Sequence, residues 1–283
     1  MHLGLAAWGF RETPLKKQLA ITRKLGLRLL ELSIAGCPND ALRKGAPPAE
    51  INMVKELFAE SGIELSCAAG GSDFTLPDAG KNQRQLDDLK RMIDLGNKLG
   101  IKFLRIFAGF SPVDEVTGRR WEQMIACLCE TVEYASGTGL VPVVETHGGV
   151  NSFPPGVKHF HSTSSEPAAL LKILREVPGL NVNFDPANLF AAGVKHPEDV
   201  YLQIKDRVSY AHLKDFVPVA GTGCFLPAAC GESRMNWHGL LDVMDKFHGP
   251  ALIEYENVAD VEAGCRRSLE FLYRMGVVND DVR

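Results

Sequence analysis

The sequence lacks a CxxC pair, a low-complexity tract and a strong excess of either charge. It also has no apolar run near the ~20 residues that a bilayer-spanning helix needs. Each absence removes a class of protein. The seven cysteines are odd in number and show no metal-clip spacing. Cys127 and Cys129 lie two apart on a predicted helix and so point to different faces. Cys67 and Cys265 fall in apolar patterns and read as buried thiols, and nothing supports a disulfide between Cys224 and Cys230. This usage fits reduced thiols in a cytoplasmic protein. Residues 1–5 show no basic stretch followed by an apolar one, so no signal peptide is expected. A net charge of −4 gives no electrostatic reason for nucleic-acid binding. No GxGxxG follows the first strand-like run, so a dinucleotide-binding sheet loses its best signal.

What is present is a regular alternation. The 283 residues, 45% of them hydrophobic, suit one α/β barrel of the usual size, about 250 residues. Strand-like runs fall at 3–7, 28–33, 63–67, 102–107, 141–145, 180–185, 208–212 and 251–254. Amphipathic stretches separate them, such as Leu86, Leu89, Ile93 and Leu99. Gly26, Gly62 and Gly100 stand where helices should stop. No linker or composition break interrupts the series, so a single domain over 1–283 is expected, a (β/α)8 TIM barrel. Two connections, 147–165 and 214–235, are long for this fold; such loops often serve as lids or binding segments.

The last four strand-like runs each close on a side chain that can bind a cation: Glu145, Asp185, His212 and Glu254, spaced 27 to 42 residues apart. In a parallel barrel all four meet at the C-terminal mouth, where these folds keep their chemistry. Any one alone reads more simply as a cap or an ion-pair partner; four at successive strand ends are hard to assign to chance. Three carboxylates packed together repel one another unless a cation sits among them. The oxygen-rich set suits one divalent metal ion per chain, Mn²⁺ or Mg²⁺, with Co²⁺ or Zn²⁺ allowed by affinity. Chelation of a hydroxy-carbonyl compound polarises its carbonyl and stabilises the enediolate formed on loss of the neighbouring C–H. Glu145 and Glu254 are then the pair that takes and returns the proton.

Four motifs carry a family resemblance: residues 143–149 (VVETHGG), 183–188 (NFDPAN), 212–215 (HLKD) and 253–256 (IEYE). With them the chain resembles the xylose isomerase-like TIM barrel superfamily, which holds sugar isomerases, ketose 3-epimerases, inosose dehydratase and endonuclease IV. The resemblance implies that Glu145, Asp185, His212 and Glu254 are metal ligands and that the two glutamates are the acid/base pair. It implies a small sugar or polyhydroxy carbonyl substrate, and it leaves a homo-oligomer open. There are departures. Free-ketose epimerases carry a histidine where this chain has Asn188, a glutamate where it has Asn151 and an arginine where it has Pro218. Endonuclease IV needs more strand-end histidines than His147 and His212.

Other residues extend the candidate site. His147 and Lys214 lie two past Glu145 and His212 and share their direction along the strand. With Asn188 and, from the family's Gly-rich segment, Glu232, they form the candidate substrate-binding set. Glu256, two past Glu254, is a weaker candidate. Glu31 and Arg105 are mid-strand charges, costly unless paired, and read as a structural salt link between them or with other core groups; the alternative is that Arg105 anchors an anionic substrate. Trp8, Phe10, Phe74 and Phe110 follow strands and can wall a sugar pocket or simply pack. His159 and His161 read as solvated loop residues. The leading reading is a metal-dependent sugar or polyol-ketone isomerase or epimerase. The alternative, for which His147 leaves room, is a dehydratase or lyase of a keto-sugar or keto-inositol on the same site.

Overall fold

The structure, a computed structural model, describes residues 1–35 and 42–279. Its frame is a sheet of eight parallel strands. They are β1 (His2–Leu5), β2 (Leu32–Ser33), β3 (Cys67–Ala69), β4 (Phe103–Ile106), β5 (Val141–Glu145), β8 (Asn181–Phe184), β9 (Val208–Leu213) and β12 (Pro250–Ile253). Their order, β1-β12-β9-β8-β5-β4-β3-β2, brings the first and last members of the list together. There Leu5 N donates to Leu29 O at 3.0 Å and Glu31 N to Leu5 O at 2.9 Å, which closes the barrel. The seam demands glycine at position 4. A Cβ there would lie 2.6 Å from both Leu29 O and a Leu252 methyl.

Helices cover the outside: α1 (Leu15–Lys24), α2 (Pro48–Ser61), α3 (Ala79–Leu99), α4 (Arg119–Ala135), α5 (Pro167–Glu176), α6 (Pro186–Ala191), α7 (Pro197–Ile204), α8 (Trp237–Val243) and α9 (Val261–Arg274). Their ends follow local chemistry. Asp78 caps α3 by accepting from Lys81 N, and Gly100 ends it in the left-handed region at φ 80°. Apolar residues of the two layers fill the space between sheet and helices. A separate cluster of Leu29, Cys67, Val143, Tyr210 and Leu252 plugs the barrel interior. Burying each of its aliphatic side chains contributes roughly 1.5–3 kcal/mol.

Three features depart from the sequence reading. The second strand, read as 28–33, is regular only over Leu32–Ser33, with isolated bridges at Leu29 and Leu30. The third strand becomes regular only at Cys67, not at 63. Ser66 O accepts from both Lys102 N and Phe103 N, an irregularity that delays the ladder. The two long connections are not simple loops. They fold into β6 (Gly149–Phe153), β7 (Gly156–Phe160), β10 (Asp215–Val219) and β11 (Cys224–Ala228), a four-stranded antiparallel sheet in the order β10-β11-β7-β6. Phe216 of this sheet packs on Ala187 and Ala191 of α6, with Phe225 against them. The cap is therefore seated on the helix that follows Asp185. The described cysteines are free thiols, Cys224 and Cys230 included; Cys37 lies outside the described residues.

Candidate metal centre at the barrel mouth

Parallel registry decides which side chains meet. Glu145 ends β5 and is level with Asn183 on β8, one inward position below Asp185. Leu252 is level with His212, so Glu254 rises beside that imidazole. Asp185 stands at the N-cap of α6, where its Oδ1 accepts from Asn188 N at 2.9 Å. The result is one buried group, Glu145, Asp185, His212 and Glu254, with one ligand-type atom from each within 4.8 Å of the others.

The surroundings fix these groups. Asn188 Nδ2 donates to Glu145 Oε1 at 2.9 Å, and Arg105 Nε lies 3.2 Å from Glu145 Oε2. Arg105 also donates to Gly70 O at 2.8 Å, which holds the guanidinium in place. Beneath the cluster, Glu31 accepts from Tyr210 OH at 2.6 Å and from Ala7 N at 2.9 Å. Its Oε1 is 3.4 Å from His212 Nε2. That contact directs an N–H of the imidazole downward and leaves Nδ1 facing the cluster. Lys214 Nζ reaches in from the side, 2.7 Å from Glu254 Oε2, 3.1 Å from Asp185 Oδ2 and 2.8 Å from Glu256 Oε1.

Protonation follows from burial and neighbours. Burial, with Glu145 and Glu254 adding to it, pushes Asp185 up to about 7 against the pull of Lys214. Burial also raises Glu254, although Lys214 and His212 oppose the shift. Burial acts on Glu145 too, but His212 and Arg105 outweigh it and hold that carboxyl well below its ordinary range. Burial disfavours a charged imidazole at His212, yet Glu254 and Glu31 overcome it and raise its pKa.

The donor set fits a divalent cation. Asp185 Oδ2 and His212 Nδ1 are buried and take part in no hydrogen bond; Lys214 is near enough to Asp185 to attract it, but not aligned to donate. Buried polar atoms are rarely left so. Three carboxylates and one imidazole are oxygen-rich ligands of the kind Mg²⁺, Mn²⁺ and related ions take.

Of the candidate substrate-binding residues, the structure brings Asn188 and Lys214 into the cluster. His147 stands at its edge, its ring 5.1 Å from that of Phe107 and 5.5 Å from that of Phe110. Burial lowers its pKa and favours a neutral imidazole. Glu232 is not brought there. Asp215 accepts from Gly231 N, Ser233 N and Trp237 Nε1. That anchoring turns the exposed Glu232 outward, where it pairs with Arg267 at 2.8 Å. Phe10 and Phe74 are packed in the core and Trp8 is exposed with Arg11 over its ring; of the four aromatic candidates Phe110 is the one with a ring contact to His147. His159 is not a solvated loop residue. It packs in the cap against Phe216 and Phe225, with ring centroids 4.9 and 5.7 Å away.

Three further residues contact the cluster: Glu31, Arg105 and Glu256. Glu31 and Arg105 are paired core charges, and the core groups they pair with are His212 and Glu145. Glu256 joins through Lys214. The available signal was the two-residue alternation: Arg105 and Phe107, Glu254 and Glu256 share an inward face.

The closed eight-stranded parallel barrel defines a TIM barrel, and the cluster at its mouth is one that could hold a metal ion. Residues 19–275 match the xylose isomerase-like TIM barrel family, and the chain belongs to it. No curated protein matches the sequence. Solved structures share the fold at low identity. The probable 3-DHS dehydratase AsbF of Bacillus anthracis superposes with a TM-score of 0.75 at 14% identity, covering 96% of this chain and 99% of that one. The 3-keto-D-glucoside 4-epimerase YcjR of E. coli gives 0.71 at 14%, covering 97% and 99%. A xylose isomerase-like TIM barrel protein of Mycobacterium smegmatis, solved in complex with magnesium, gives 0.69 at 16%, covering 97% and 96%.

Proposed function

We propose that the protein is a divalent-metal-dependent isomerase or epimerase of a sugar or related polyhydroxy ketone, with Glu145 and Glu254 as its acid/base pair. The observation that carries this reading is the buried convergence of Glu145, Asp185, His212 and Glu254. A divalent cation bound there, Mn²⁺ or Mg²⁺ by donor type and Co²⁺ or Zn²⁺ by affinity, supplies Lewis acidity to a carbonyl and to the oxyanion that develops beside it.

The chain's own residues divide the remaining work. Against the effect of burial, His212 and Arg105 hold the Glu145 carboxyl well below its ordinary range and Asn188 fixes its orientation, which suits a base that takes the proton from carbon. Burial raises the proton affinity of Glu254 above that of Glu145, which suits the partner that returns a proton. Two carboxyls whose surroundings push their proton affinities apart are the pattern expected of such a pair. Lys214, Asn188 and His147 offer hydrogen bonds to substrate hydroxyls.

Elimination is the second reading. Lys214 Nζ, 2.7 Å from Glu254 Oε2, is an additional cationic donor beside the acid. A β-oxygen leaving group needs such a donor. The dehydratase and the epimerase among the structural relatives are compatible with either chemistry on this scaffold.

The test is incubation of metal-reconstituted protein with ketoses, keto-inositols and 3-keto-glycosides in D₂O, followed by mass spectrometry. Isomerisation or epimerisation gives product one mass unit heavier, and chelator stops it. Elimination gives product lighter by water. Neither exchange nor conversion with any substrate would overturn the reading.

A further inference from the structure

Lys214 occupies an unusual position. Its Nζ is buried among three carboxylates, two of which, Asp185 and Glu254, belong to the candidate cation site, while Glu256 does not. The placement follows from strand alternation. Lys214 lies two past His212 and Glu256 two past Glu254, so both side chains point inward one layer above the cluster. The Phe216 ring, 5.4 Å from Nζ, offers the ammonium a further favourable surface.

We infer that Lys214 is a tethered cation that partners Asp185 and Glu254 in the metal-free protein, and that Glu256 is a positioning residue that draws its ammonium aside when a divalent ion binds. This rests on the reading of the cluster as a cation site. An ammonium and a divalent ion cannot share the same two carboxylates at contact distance without strong repulsion in a buried setting. The lysine has a flexible four-carbon stem. Among the described residues, Glu256 Oε1, already 2.8 Å from Nζ, is the anionic partner of Lys214 that the cation leaves free. The pair therefore sets how tightly the metal is held and keeps the carboxylates together without it.

The experiment is direct Mn²⁺ binding by calorimetry on the wild type, K214M, E256Q and the double variant, with Mg²⁺ titration of the wild type followed at the Lys214 ammonium ¹⁵N signal. K214M should bind at least tenfold tighter than wild type. E256Q should bind several-fold more weakly, but only while Lys214 is present, so that adding E256Q to K214M changes nothing. Mg²⁺ should shift the Lys214 signal. Equal or weaker binding by K214M, an E256Q effect that persists without Lys214, or an unmoved ammonium signal would each overturn the inference. The signal in the wild type stays decisive if a variant fails to fold. Binding by K214M but not by wild type would support the inference, whereas silence from both would end it together with the cation site. Binding by wild type that K214M leaves unimproved ends the inference alone.

Discussion

Glu31 and His212 meet beneath the barrel mouth, Oε1 to Nε2 at 3.4 Å. Both are fully buried. The carboxylate is itself fixed by Tyr210 OH and Ala7 N. The imidazole is thereby steered so that Nδ1, not Nε2, faces Glu145 and Glu254.

If that steering matters, Glu31→Gln should weaken Mn²⁺ binding. Loss of a carboxylate behind a ligating histidine typically costs ~10–100-fold in affinity. Calorimetric titration, with circular dichroism as a check on folding, measures it. Unchanged affinity would show that His212 needs no orienting partner.

Metal binding should release a proton near neutrality. Asp185 is pushed up to about 7 by burial, so below that pH a cation must displace its proton. Apparent Mn²⁺ affinity should fall as pH drops below about 7. Calorimetry in two buffers of different ionisation enthalpy reads the proton count. The same shift has a stability sign: the folded value lies above the ordinary 3.8. Asp185 thus contributes stability below about pH 4 that is lost as pH rises through about 7 in metal-free protein. Thermal melts with and without Mn²⁺ should diverge over that window.

Glu254→Gln should abolish C–H exchange in D₂O while Mn²⁺ still binds. The amide keeps an oxygen ligand but cannot move the proton, a loss of ~10²–10⁴-fold in rate. Retained exchange would remove Glu254 from the acid/base role.

His159 should make the cap acid-labile. Burial lowers its pKa to about 4, and both ring nitrogens are buried without a partner. The folded value lies below the unfolded one of about 6.5. The stability that His159 contributes is present above pH 6.5 and lost as pH falls through about 4. His159→Leu should flatten melting temperature against pH between those limits. An unchanged slope would place the acid sensitivity elsewhere.

Asp215→Ala should cost stability, because it strands the buried Trp237 Nε1 and the part-buried N–H groups of Gly231 and Ser233 at once. The buried indole donor costs roughly 1–3 kcal/mol when orphaned, and the two part-buried ones less. Urea unfolding measures the total, and a loss within error of zero would mean that the segment around Glu232 needs no anchor.

The eight-fold alternation and the four polar strand ends were legible in the chain because each is a local pattern. Apolar period separates helix from strand, and a ligand at the close of each of the last four strands needs no knowledge of neighbours. Lys214 and Asn188 were legible for the same reason, lying at fixed offsets from those ends. The cap sheet was not. Its strands come from two connections, and β7 meets β11 across a long separation that neither segment records. Nor was the outward turn of Glu232, which Asp215 decides from the end of another strand, or the burial of His159, which needs Phe216 and Phe225 from a different loop. By itself, then, the sequence determined the barrel and the identity of the side chains at its mouth. Tertiary structure alone decided which of them share a partner, because ion pairing and burial depend on distances that exist only after strands from opposite halves of the chain are brought into register.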